Sequence, residues 1–107
     1  MTNVTPAELR AWLADPERPA PLLLDVREPW EFATCRIESS LLVPMREIPA
    51  RLGELDRAAE TVVVCHHGMR SMQVALYLQR QGFENVYNLA GGVDAWARTV
   101  EPRMPVY

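Results

Sequence analysis

One cysteine sits among residues suited to nucleophilic chemistry: Val62-Val63-Val64-Cys65-His66-His67-Gly68-Met69-Arg70-Ser71. The β-branched run before Cys65 reads as a buried strand, Gly68 admits backbone angles that a Cβ opposes, and an apolar helical pattern starts at Ser71. A strand, a tight loop and a helix start, in that order, set the thiol inside a crescent of backbone N–H groups. Peptide dipoles and the charge of Arg70 both favour an anion there, so Cys65 is expected to react as a thiolate. Ser71 is read first as the helix cap and second as a hydrogen-bond partner of the sulfur site. His66, His67 and Met69 are expected at the mouth of the loop. Neutral imidazoles donate hydrogen bonds without a fixed charge, and protonation below about pH 6.5 should favour anionic substrates. Spacing shows no third ligand beside the two histidines, so no metal is assigned.

The elements that position this loop follow from periodicity. Residues 22–26 form an apolar run interrupted only by Asp25, the signature of a strand covered on both faces; residues 41–43, 62–65 and 85–89 give further short strands. Between them lie helical patterns. Thr5-Pro6-Ala7-Glu8 offers a hydroxyl cap, a proline at the first helical position and a glutamate at the third, with Leu9, Trp12 and Leu13 on one face. Residues 28–33 make a short helical turn, and Ile48, Leu52 and Leu55 mark another near Pro49. Met72, Ala75, Leu76 and Leu78 give the helix after the loop its apolar side, while Gly91-Gly92 leads into a last helix carrying Val93, Trp96, Ala97 and Val100. Trp12, Trp30 and Trp96 are expected in the core, and residues 104–107 as an extended flap. Strands alternating with helices predict an α/β fold with a mainly parallel central sheet of about five strands and helices on both faces. Ligands of such sheets gather at the carboxyl ends of the strands, where both Cys65 and Asp25 fall.

Bulk composition narrows the function. A chain of 107 residues with 49% hydrophobic content supplies one core, so residues 1–107 are expected to form a single domain. Net charge is −3 with both signs interspersed, which leaves no basic face for nucleic acid or an anionic membrane. The first residues lack a cationic lead and apolar core, and no apolar run approaches spanning length. Two cysteines, Cys35 and Cys65, form neither a disulfide framework nor a Cys-x-x-Cys pair. A reducing, cytoplasmic location is the expectation. Cys35 is read as a packed small residue rather than a second, resolving thiol.

Three blocks in order resemble the rhodanese-like sulfurtransferases. Cys65, Gly68 and Arg70 match that family's Cys-x-x-Gly-x-Arg loop; Leu22-Leu23-Leu24-Asp25-Val26-Arg27-Glu28 is similar to its Leu-Ile-Asp-Val-Arg-Glu signature; and residues 82–92 with Trp96 resemble its closing segment. The resemblance implies a rhodanese-like fold and a persulfide on Cys65, formed from thiosulfate, a persulfide or a polysulfide and passed to a thiol, cyanide or a sulfur-accepting protein. It implies no cofactor. Arg70 would hold a thiosulfate-like or carboxylate-bearing donor, while Asp25 and Arg27 would support the loop through a buried ion pair. Cys35-Arg36-Ile37-Glu38-Ser39-Ser40 departs from the family's usual Gly-His-Ile-Pro-Gly-Ala, as do the two histidines from its more usual basic or small pair. Two rivals share the resemblance: a non-catalytic persulfide carrier or docking module, and phosphatase or arsenate reductase chemistry. Related phosphatases place five residues between cysteine and arginine; here four intervene, a cradle better sized to one sulfur atom than to a phosphoryl group.

Overall fold

The two central apolar runs lie side by side. In the computed structural model, which describes residues 1–107, β2 (Leu22–Asp25) and β4 (Thr61–Val64) pair in parallel, from Leu22 opposite Thr61 to Asp25 opposite Val64. β3 (Leu41–Leu42) flanks β2, and β5 (Val86–Leu89) flanks β4. β1 (Thr2–Val4) adds the outer strand beside β5, completing a five-stranded, all-parallel sheet of order β1-β5-β4-β2-β3. Only four of these strands are evident in the sequence. β1 is three residues long and only Val4 is apolar, so its pairing with β5, rather than its own pattern, makes it a strand.

Side chains alternate across the sheet and separate two cores. Leu23, Val62, Val64 and Leu89 face Leu9 and Trp12 of α1 (Pro6–Ala14) and Val93, Trp96 and Ala97 of α5 (Gly92–Thr99). Leu24, Val63, Cys65 and Val86 face the other way, onto Ile48 of α3 (Ile48–Arg51) and Val74, Ala75 and Leu78 of α4 (Met69–Arg80). α2 (Pro29–Thr34) follows β2 directly. The predicted capping box forms: the Glu8 N–H donates to Thr5 Oγ1 at 3.1 Å and the Thr5 N–H to Glu8 Oε1 at 2.8 Å. Such a cap contributes about 1 kcal/mol. No helix is long and apolar enough to cross a membrane.

Four details differ from the sequence expectation. α4 starts at Met69, because Gly68, at φ 97°, takes the cap position assigned to Ser71. Its buried face is Ser71, Val74, Ala75 and Leu78, which turns Leu76 outward. Trp30 is 63% exposed at the second position of α2, not in the core. The chain beyond α5 packs back, with Met104 buried and Tyr107 lying edge-on to Trp30 at 5.6 Å between ring centroids.

Candidate active site

β4 carries Cys65 to the carboxyl end of the sheet, where the side chain is 1% exposed and packs toward α4. The loop 65–68 is held from behind by the start of α5. The Val93 N–H donates to the Cys65 carbonyl at 2.9 Å and the Asp94 N–H to the His66 carbonyl at 3.1 Å. Gly92 permits this approach, since a Cβ there would collide with both carbonyls. Gly68 combines its positive φ with close packing; a Cβ would sit 3.2 Å from the Gly91 nitrogen and 3.3 Å from the Leu89 oxygen.

Around the sulfur, the Gly68 N–H donates to Sγ at 3.0 Å and Ser71 Oγ lies 3.2 Å away. The first N–H groups of α4, on Met69, Arg70 and Ser71, have no carbonyl one turn back within the helix. Ser71, expected as the cap, is instead the third helical residue, its hydroxyl placed between sulfur and sheet. That hydroxyl donates to Asn88 Oδ1 at 2.5 Å, while Asn88 Nδ2 donates to Asn3 Oδ1 at 3.1 Å and to the Gly68 carbonyl at 3.3 Å. Both amide hydrogens being used fixes Oδ1 toward Ser71. With the Ser71 proton on Asn88, Oγ is an acceptor for the neutral thiol; rotating that proton to Sγ makes it a donor to the thiolate.

Arg70 is committed elsewhere than the sequence suggests. Its Nη1 and Nη2 donate to Oε2 and Oε1 of Glu31, each at 2.8 Å, so the fork assigned to a donor holds a carboxylate of the protein. Glu31 also accepts from the Glu28 N–H at 2.8 Å and from the Tyr107 hydroxyl at 2.9 Å. Hydrogen bonds from Arg70 outweigh burial and hold the Glu31 carboxyl at about pKa 2. The Tyr107 hydroxyl accepts in turn from Arg27 Nη1 at 2.9 Å, and burial pushes its own pKa up to about 12.

Asp25 and Arg27 are fully buried. Arg27 Nε lies 2.9 Å from Asp25 Oδ1, Nη2 lies 2.7 Å from Oδ2, and Nη2 also reaches the Cys35 carbonyl at 2.6 Å. The chain Asp25–Arg27–Tyr107–Glu31–Arg70 thus runs from the sheet to the loop. Cys35 packs among the α1 and α5 residues while Cys65 packs on the α4 side, so the sheet stands between the two sulfurs.

Met69, 72% exposed, and His67 stand at the mouth; His66 is half-buried, stacked between His67 and Tyr107 with centroids 3.9 Å apart on each side. Burial, then the neighbouring His67, lower the His66 pKa, so its protonation moves to more acid pH than the sequence suggests. A third candidate ligand invisible in the spacing is Asp94: one atom each from His66, His67 and Asp94 lie within 4.8 Å of one another. Stacked rings, however, aim their in-plane lone pairs side by side rather than at one point, and Asp94 is already bonded to Arg98 at 3.1 Å.

Sequence reasoning missed Glu31, Asn88, Tyr107 and Gly92. Asn88 carried a signal, being a polar residue inside an apolar strand, and so did Glu31, three residues after Glu28 at a helix start. Tyr107 carried none.

Four residues separate cysteine from arginine in this loop, seated at the end of a parallel strand. The model of the rhodanese-like domain matches residues 5–99. The chain belongs to the rhodanese-like family. A relative named sulfurtransferase, from Allochromatium vinosum, is 44% identical over 77 residues, 72% of each chain. The thiosulfate sulfurtransferase GlpE of Pseudomonas fluorescens is 40% identical over 78 residues, 73% of this chain and 72% of its own. The crystal structure of a rhodanese-like domain protein from Staphylococcus aureus has a TM-score of 0.84 at 30% identity, covering 100% of this chain and 99% of that one.

Proposed function

We propose that the protein is a sulfurtransferase that moves a sulfane sulfur from a small donor to a thiol or cyanide, through a persulfide on Cys65. The observation that carries the reading is the seat of Cys65 Sγ, which accepts from the Gly68 N–H at 3.0 Å beside the Ser71 hydroxyl at 3.2 Å. In the first half-reaction the Cys65 thiolate attacks the donor's outer sulfur. The donor's bond to that sulfur breaks, and its remainder leaves with the electron pair: sulfite from thiosulfate, a thiolate from an organic persulfide. In the second, a thiolate or cyanide attacks the outer sulfur of the Cys65 persulfide and returns Cys65 to the thiolate. Donors around Sγ serve both halves, because the sulfur of Cys65 is an anion before the first and again after the second. The short loop supports sulfur over phosphoryl transfer, and sulfurtransferase names among relatives at 40–44% identity support the class.

Intact-protein mass spectrometry after donor treatment tests this. The expected result is a gain of one sulfur atom on Cys65, reversed by cyanide with release of thiocyanate and abolished by Cys65→Ser. A protein that stays unmodified with every sulfur donor but hydrolyses p-nitrophenyl phosphate would overturn it. Ser71→Ala should slow sulfur loading about ten- to a hundredfold, the worth of one hydrogen bond to a charged group.

A further inference from the structure

We propose that Glu31 sets the donor class of this site: by neutralising Arg70 it turns the loop away from dianions such as thiosulfate and toward organic persulfides. The inference rests on the sulfur-transfer reading above and names its donor.

Positive charge near the loop is scarce. The chain contains no lysine, so fixed cations are arginines alone. Four of them lie by the loop or are linked to it, and each faces a carboxylate: Arg27 with Asp25, Arg70 with Glu31, Arg98 with Asp94, and Arg46 with Glu28. Arg46 and Arg70 line one cleft of about 400 Å³ with Val26, Met45 and Pro49. The Arg46 pair is largely exposed and contributes little binding either way. The Arg70 pair differs, because Glu31 is 5% exposed and bound by four donors, so its charge cannot swing aside into water. His66 stays neutral at pH 7 because burial disfavours its cation.

The two donor classes make different demands. Thiosulfate brings two negative charges to a thiolate, and its sulfite leaves with both; no unpaired arginine here receives them. An organic persulfide, RSSH, transfers its outer sulfur to the thiolate and releases RS⁻, so one negative charge enters the step and one leaves it. The Gly68 N–H and the Ser71 hydroxyl match that single charge.

The test measures kcat/KM for thiosulfate and for cysteine persulfide with a common thiol acceptor, in the natural protein and in Glu31→Gln. Glutamine keeps the shape and can still accept from Tyr107, but it frees the charge of Arg70. The natural protein should favour the persulfide, and Glu31→Gln should raise the thiosulfate-to-persulfide ratio about tenfold, at the low end of what one-signed clefts do for charged substrates. A merely structural defect would lower both values and leave the ratio. Independently, thiosulfate kcat/KM of the natural protein should change less than about twofold between low and high salt, since paired charges project no field to screen. A natural protein that prefers thiosulfate, with a steep fall of its kcat/KM in salt, or an unmoved ratio in Glu31→Gln, would overturn the donor assignment. Failure of both donors to add sulfur to Cys65 would instead overturn the sulfur-transfer reading itself.

Discussion

Two arginine–carboxylate pairs stand within one hydrogen-bonded chain, and they do opposite work. Asp25–Arg27 is sealed, both side chains fully covered, with Cys35 and Glu31 carbonyls taking further guanidinium donors. Arg70–Glu31 is covered on the carboxylate side and one-third open on the guanidinium side. A sealed pair cannot meet a substrate; it ties β2 to α2, to Cys35 after it and to Tyr107. A half-open pair controls which charge a substrate finds. Burial, not residue type, separates strut from selector.

Arg27→Met leaves the Asp25 carboxylate buried without a counter-charge, and urea unfolding should show a loss of about 3–5 kcal/mol. A loss below 1 kcal/mol would put Arg27 among ordinary surface pairs. The half-open pair should show itself in acid. Glu31 titrates at about pKa 2 in the fold against an ordinary 4.5, so its stabilisation is complete above about pH 4.5 and disappears as pH falls through 2. That amounts to about 2–3 kcal/mol, reduced by the openness of Arg70. Urea midpoints between pH 5 and 2 should therefore fall less steeply in Glu31→Gln than in the natural protein. The smallest effect tests the link between the pairs: Tyr107→Phe removes the hydroxyl shared by Arg27 and Glu31 and should cost about 1–2 kcal/mol. Any energetic coupling between Arg27 and Arg70 in a double-mutant cycle should shrink in that background, leaving what passes through the Glu31 carbonyl.

The sequence made the fold legible wherever the signal was local. The capping box at Thr5–Glu8, the strand leading to Cys65 and the Gly68 turn each depend on neighbours within a few residues, and each forms. The buried pair of Asp25 with Arg27 was implied by the family resemblance rather than by local pattern, and it forms. Contacts assembled by the topology were hidden. Arg70 meets Glu31 across 39 residues, Ser71 meets Asn88 across 17, and Tyr107 reaches Arg27 across 80. A charged fork in a reactive loop reads as a substrate binder until its partner, here Glu31, is known. Trp30 differs for the opposite reason: a large apolar side chain suggests a core, yet it lies exposed beside Tyr107.

The grip of α5 on the Cys65 and His66 carbonyls has a directional result. A trans amide sends its hydrogen opposite to its oxygen, so fastening those two oxygens rearward turns the amide hydrogens of His66 and His67 away from α5. Their orientation is therefore settled when the helix docks, before any reactant arrives, and little reorganisation is left for the moment when sulfur changes hands. Gly92 governs this from outside the reacting centre: adding a single methyl there would loosen the cradle without touching the thiol.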